Sequence, residues 1–305
     1  MKIYTITLNP AYDIHAYTKH FEPFHENLAD VLSREAGGKG VNISRALTKN
    51  GTPNTALVVL GKDNSADFKS ALADAGMSCI FFEKEGRIRE NLTLHTSDSD
   101  ETRISFSGFS SDESILEEIE EKIDADDSTV VTFTGRVPKG VSMKAVKAFL
   151  GRLKDKGARI VIDSRSFSLD DIFEVKPWLI KPNQEEISEY FSEDISTVEQ
   201  SAEKAKALAA RGIDNVMISL GSLGALLFCG GRLYTAKPPK IEALSTIGAG
   251  DSSIAGFISA FADGKEAGDC LRRAVAYGSA ACLTEGSMPP EKEEIEKIYS
   301  QVALS

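Results

Sequence analysis

The stretch STIGAGDSSIAGF, residues 245–257, sets Gly248 and Gly250 around Ala249 and follows them at once with Asp251. Ile254, Phe257, Ile258 and Phe261 then recur at the spacing of one helical face, so a helix begins close to Asp251. Bare amides and a carboxylate at the positively polarised end of a helix admit two accounts. In one, Asp251 caps the helix and the glycines make the turn. In the other, the N–H groups hold an anion while Asp251 takes a proton from something beside it. The second is the chemistry of phosphoryl transfer, which is mostly positioning and charge neutralisation. At a helix start Asp251 is expected to stay ionised, a weak base that serves if the alcohol proton leaves late.

Other segments offer matching chemistry, each with a plainer alternative. AGGKGVNISRAL (36–47) puts Gly37, Gly38 and Gly40 around Lys39 at a second helix start. That is either a flexible turn with a solvated lysine or a bare backbone that a ligand approaches closely beside a positive charge. It is not a Walker A loop, and neither GxxxxGK[ST] nor GxGxxG occurs in the chain. TLNPAYD (7–13) offers Asn9 and Asp13, a solvated acid or an acceptor for sugar hydroxyls. GRIREN (86–91) offers Arg87, Arg89 and Asn91, a surface charge run or an anchor for an anion. KPNQEE (181–186) carries Lys181, Asn183 and Glu186. These fit a helix N-terminus, or a magnesium region with Asn183 and Glu186 holding metal-bound waters from one turn. SLGSLGAL (219–226) resembles a phosphate-side turn, and AYGSAA (276–281) reads as small-residue packing or an adenine slot.

These groups need a scaffold that gathers them. Strands are expected at 2–8, 55–60, 129–133, 159–163, 178–181 and 215–220. Helices are expected between them, near 39–50, 64–76, 113–122, 141–156, 184–191 and 197–211. Such alternation implies an α/β fold, a doubly wound, mainly parallel sheet with helices on both faces. GALLFCGGRLYTA reads as a hairpin closed by Gly230-Gly231, and helices at 251–263, 265–284 and 291–301 finish the chain. Residues 13–35 and 91–107 do not fit the alternation and point to a small accessory sheet, the latter as two strands around a polar turn. NPAYD, TGRVP, SRS, PNQEE and GSLG each follow a strand, and GAGD follows a run ending near 244. Open parallel sheets bind ligands outside the carboxyl ends of their strands, so a cleft along that edge is expected.

The composition sets bounds. With 305 residues, 42% hydrophobic and 27% charged, the chain has the make-up of a soluble globular protein of enzyme size. Its 46 acids against 35 bases give −11, which argues against general attraction to nucleic acid or anionic membrane but leaves room for a small anion. The cysteines form no CxxC pair and the histidines no zinc spacing. The start MKIYTITLNP lacks a signal peptide's apolar stretch and no segment approaches a membrane span, so a cytoplasmic protein is expected.

Taken together, GGKGVN, GAGDS, TLNP and the Arg89-Glu90-Asn91 triplet resemble the ribokinase-like carbohydrate kinases, in the branch of 1-phosphofructokinase and tagatose-6-phosphate kinase. The resemblance runs nearly end to end. It implies one ribokinase-like domain over 1–305, with lid segments near 13–35 and 89–108. It implies Asp251 as catalytic base, with the amides around Gly248, Ala249 and Gly250 as anion hole. Asp13 and the segment from Gly37 and Gly38 to Asn42 would hold the sugar, and Lys39 and Arg89, helped by Asn91, would face its existing phosphate. Ser219, Gly221 and Gly224 would border ATP, Lys181 and Asn183 its phosphates, Ser279 more weakly, with Asn183 and Glu186 near Mg²⁺. Three departures stand out: Arg136 in TGRVP, Arg165 in VIDSRS, and ISFSGF without the family's asparagine. An added arginine either grips a phosphate or blocks the usual sugar pose.

The expected activity is ATP-dependent phosphorylation of a phosphorylated ketohexose, with fructose 1-phosphate to fructose 1,6-bisphosphate leading. Tagatose 6-phosphate, fructose 6-phosphate and an unphosphorylated sugar are alternatives, as is a catalytically silent sugar-phosphate-binding protein. A homodimer through the lid strands, whose edges are exposed, is also expected.

Overall fold

Alternate side chains of each central strand enter different apolar clusters. Ile3, Val130, Val161 and Met217 belong to one, while Ile6, Val131, Ile162 and Ile218 belong to the other. A strand buried on both faces needs a helical layer on each side, so the period of two dictates three layers.

The computed structural model describes residues 1–98 and 101–305. In chain order the elements begin with β1 (Lys2–Thr7), β2 (Ala11–Tyr17), β3 (Asp30–Gly37), α1 (Lys39–Lys49), β4 (Thr55–Gly61), α2 (Ser65–Asp74) and β5 (Cys79–Lys84). There follow β6 (Arg89–His95), β7 (Glu101–Ser105), α3 (Ser114–Glu120), β8 (Thr129–Thr134), α4 (Met143–Asp155), β9 (Arg159–Asp163), α5 (Leu169–Val175) and β10 (Leu179–Ile180). The chain continues through α6 (Gln184–Phe191), α7 (Val198–Ala209), β11 (Asn215–Ser219), β12 (Ala225–Cys229) and β13 (Arg232–Lys237). It ends with α8 (Ala249–Ala262), α9 (Ala267–Ala281), α10 (Lys292–Tyr299) and β14 (Ala303–Leu304).

The main sheet has ten strands in the order β14-β13-β12-β11-β10-β9-β8-β1-β4-β5. From β5 to β11 neighbouring strands run parallel, and β12, β13 and β14 close one side as an antiparallel flap. Ile43, Ile254, Phe257, Leu271 and Ile295 bring α1, α8, α9 and α10 onto one face. Ile115, Phe149, Ile172, Ile187 and Ala205 bring α3 to α7 onto the other. The chain is therefore a doubly wound α/β protein. A second sheet, β3-β2-β6-β7, pairs β2 with β6 in parallel and is otherwise antiparallel. Tyr12 and Ala36 of this sheet share a cluster with Val58 and Leu60 of β4 and with Phe68 and Leu72 of α2, which fastens one sheet to the other.

Some expectations need correcting. Residues 79–84 form a strand, 169–175 a helix and 303–304 a short strand, none of them anticipated. The run ending near 244 is not a strand, since 238–248 carry no regular element. Asp13 lies inside β2 rather than in a loop. Of the polar turn expected between β6 and β7, Ser99 and Asp100 lie outside the described residues. No helix among the described residues is long and apolar enough to cross a membrane.

Candidate active site

Gly248 is the N-cap of α8, with φ 76° and no side chain to offer the helix. Only glycine takes that left-handed conformation without strain. Asp251 therefore sits in the first turn, not at the cap, and its carboxylate is free for other work. Ala249 donates weakly to Thr246 O, at 3.4 Å, whereas the N–H groups of Gly250 and Asp251 donate to no backbone or side-chain acceptor among the described residues. These are the orphan donors of a helix start, positively polarised and aimed along the axis.

Asp251 is 6% exposed, and its Oδ2 accepts from Asn42 Nδ2 at 2.9 Å. Burial pushes its carboxyl up to about 6; Asp163 adds to the rise, while Lys39, Asn42 and Lys181 hold it back. Burial outweighs the two lysines and the Asn42 hydrogen bond, so the acid, still ionised at neutral pH as expected, is a stronger base than an exposed aspartate. A base so tuned takes an alcohol proton more readily than an exposed aspartate.

Beside it stands an ion cluster in which Asp163 and Lys181 are buried and Lys39 is partly exposed. Lys39 Nζ lies 3.0 Å from Asp163 Oδ1, and Lys181 Nζ 3.8 Å from Asp163 Oδ2. Burial works against Asp163's charge, yet Lys181 and Lys39 hold its carboxyl below the usual range. Burial likewise opposes the Lys39 charge, and Asp163 and Asp251 more than restore it. Two lysines against one aspartate leave positive charge facing Asp251 and the bare amides. Gly250 makes room for it, since a Cβ there would lie 3.0 Å from Lys181 Nζ. Asp163 was not singled out in the sequence, where attention in VIDSRS fell on Arg165. Its signal was an acid closing an apolar strand at the carboxyl edge.

Asp13, Asn91 and Arg89 form a second group on the smaller sheet. Register sets Asp13 of β2 opposite Asn91 of β6, and Asn91 Nδ2 donates to Asp13 Oδ1 at 2.8 Å. Burial raises the Asp13 carboxyl against the pull of Asn91 and Arg89. Gly37 leaves room for this carboxylate, since a Cβ on it would displace Asp13 Oδ2. Arg89 Nε reaches Asn9 O at 3.4 Å and its Nη1 reaches Asn91 Oδ1 at 3.3 Å. Lys39, expected with Arg89 to face the sugar's phosphate, has Asp163, Asp251 and Glu186 around it. Gly38, with φ 127°, caps α1 between these groups.

Asn183 and Glu186 form a reciprocal capping box at α6: Glu186 N donates to Asn183 Oδ1 at 2.7 Å, and Asn183 N to Glu186 Oε2 at 3.1 Å. Arg165 Nε adds a contact to Glu186 Oε1 at 3.1 Å and Arg165 Nη2 one to Glu185 at 2.9 Å. Asn183 thus keeps its Nδ2 donor uncommitted among the described residues, a group suited to phosphate oxygen, and one lone pair on Oδ1. No three His, Cys, Asp or Glu side chains converge as a metal cage among the described residues. Glu186 retains lone pairs that accept from water. A divalent ion fits this donor set only through its own water shell.

Asn183 pairs with Ser219 across the tips of β10 and β11, beside a single 3-10 turn at Gly221–Leu223. Gly221 and Gly224 have φ 60° and 96°, and a Cβ on Gly224 would strike Ala236 O. The turn's second glycine is thus demanded by the hairpin behind it. Ser279 follows Gly278, where a Cβ would lie 3.1 Å from Ala249 O, so α9 abuts the first turn of α8. Arg136 is exposed on the turn after β8.

The sequence profile of the pfkB family carbohydrate kinases matches residues 6–294. The chain belongs to that family. It is 33% identical over 309 residues to a 1-phosphofructokinase of Escherichia coli K12, covering 99% of this pfkB chain and 98% of the relative. Phosphofructokinase-2 from E. coli, solved in complex with substrates and products, superposes with a TM-score of 0.92 at 27% identity, covering 99% of both chains. A tetrameric inhibited form of that enzyme superposes at 0.87 and 26% identity, covering 98% of both chains. As in this family generally, a sugar kinase of this kind uses ATP.

Proposed function

We propose that this protein is a 1-phosphofructokinase, transferring the γ-phosphoryl group of ATP to the free primary hydroxyl of fructose 1-phosphate. The observation that carries the reading is Asp251: a buried carboxyl raised to about 6, set in the first turn of α8 beside unpaired N–H donors and the Lys39–Asp163–Lys181 cluster. Relatives over the full length named 1-phosphofructokinase support the substrate.

In this reading Asp251 accepts the hydroxyl proton as the oxygen attacks in line. The amides of Gly248, Ala249 and Gly250 line the anion hole, where one preorganised donor contributes about 3 kcal/mol to the barrier. Lys39 and Lys181 neutralise charge on the transferring group. Asp13, Asn91 and the stretch from Gly37 and Gly38 to Asn42 hold the sugar, and Arg89 its resident phosphate. Lys181, Asn183, Ser219, Gly221, Gly224 and Ser279 form the nucleotide side. Mg²⁺ would arrive on the triphosphate, with Glu186 accepting from its waters, and would neutralise phosphate charge there. The four unpaired cysteines fit a reducing cytoplasmic setting.

An ADP-release assay run on fructose 1-phosphate, tagatose 6-phosphate, fructose 6-phosphate and fructose tests the substrate. Fructose 1-phosphate should give the highest kcat/KM; a higher value for any other sugar overturns the assignment. Asp251→Asn should lower kcat about 10²- to 10⁴-fold while the KM for ATP moves little. Near-normal turnover in that variant would remove Asp251 from the chemistry.

A further inference from the structure

Thr7 of β1 pairs in register with Thr134 of β8, so Asn9 and Arg136, each two residues further on, leave neighbouring strand tips side by side. Asn9 O receives the Arg89 side chain. Arg89 and Arg136 are thereby brought to one corner of the cleft from different sheets. Burial lowers Arg89's hold on its proton, and the nearby Arg136 charge lowers it further, with Asp13 pulling the other way.

The turn bearing Arg136 is fixed on both sides. Gly135 N donates to Asp163 O at 3.1 Å, Ser164 Oγ donates to Gly135 O, and Val137 N donates to Ser166 Oγ at 3.1 Å. The Arg136 guanidinium itself makes no hydrogen bond or ion pair among the described residues. Arg165, the other added arginine, is consumed by Glu185 and Glu186. On the far side Gly108 lets Arg89 pass, since a Cβ there would lie 3.0 Å from Arg89 Cβ. Two guanidiniums on rigid backbone, with the acid that acts on Arg89, Asp13, already bonded to Asn91, repel each other until a shared anion arrives. A dianionic phosphate accepts two planar forks at once.

We propose that Arg136 is the second arm of the grip on the sugar's resident phosphate, closing on it opposite Arg89 and setting the preference for a phosphorylated over a plain sugar. This rests on the phosphosugar kinase reading above and extends it to a residue at which the chain departs from the family's usual turn.

The test compares wild type, Arg136→Ala and Arg136→Lys. Fructose 1-phosphate and inorganic phosphate are each titrated calorimetrically without nucleotide, and KM values are taken for sugar and ATP. Arg136→Ala should weaken both ligands at least fivefold and raise the fructose 1-phosphate KM at least tenfold. The ATP KM should change less than threefold, and Arg136→Lys should recover part of the loss. Binding of both ligands within twofold of wild type in Arg136→Ala overturns the proposal. So does a loss confined to ATP, or tighter sugar binding, which would make Arg136 an obstacle. If the wild type turns over none of the four sugars, the kinase reading fails by itself. The inorganic phosphate titration then still decides whether Arg136 holds an anion.

Discussion

Asp251 is tuned by burial and by the charges around it. Its raised carboxyl predicts that kcat/KM falls as pH drops below about 6, because the base must be ionised to accept a proton. The same shift has a consequence for stability. The native state binds this proton more tightly than the unfolded chain, whose carboxyl titrates near 3.8. The group therefore favours folding fully below that value and loses the contribution as pH rises through about 6. Asparagine has nothing to lose. Urea denaturation of Asp251→Asn and wild type should show the variant gaining relative stability from pH 4 to 7, by up to about 3 kcal/mol, and then levelling off. A difference that is flat with pH would contradict the raised carboxyl. Asp251 was legible in the sequence because glycines flank it and an apolar helical face follows. Asp163 was not, because only the fold shows that it is buried between two lysines.

The elements that carry the site divide in the same way. The parallel strands were legible because both faces are buried and their apolar runs are continuous. β2 and β3 were not, because their polar residues face the cleft and β3 leaves Val31 and Leu32 exposed. The usual alternation is thus inverted where function needs it. β5 at the sheet edge and the seven-residue α5 are too brief or too open for a clear period. The glycines of α1's approach repay attention one at a time. Gly37 has ordinary backbone, so Gly37→Ala adds no conformational strain there; it adds only a methyl group against Asp13 Oδ2. The variant should fold with wild-type secondary structure by circular dichroism. Its KM for fructose 1-phosphate should rise about tenfold or more, with the ATP KM nearly unchanged, as expected for a displaced acceptor of sugar hydroxyls. An unchanged sugar KM would remove Asp13 from the sugar site.

At the scale of the molecule, the edge strand β3 of the smaller sheet and the segment before it leave apolar side chains uncovered. Phe24, Leu28, Val31 and Leu32 are 105%, 85%, 66% and 62% exposed, with Phe106 half-exposed on the far side. A patch of this kind is costly to leave in water and marks an interface. We propose a homodimer formed through the exposed edge of this sheet. Light scattering should give twice the chain mass, and Leu28→Lys with Leu32→Lys should shift it to one. A wild-type monomer at micromolar concentration would refute the pairing.

The order of strands also bears on how the protein comes into being. β1 is made before β4 and β8, between which it lies, and its last neighbour is completed only at residue 134. Until then a ribbon of buried threonines and isoleucines has one open flank, during synthesis as during refolding. Long-range closure of this kind is slow and exposes sticky intermediates. Chains truncated before residue 134 would lack the seam on which the whole sheet is sewn, and would be destined for aggregates or for chaperones.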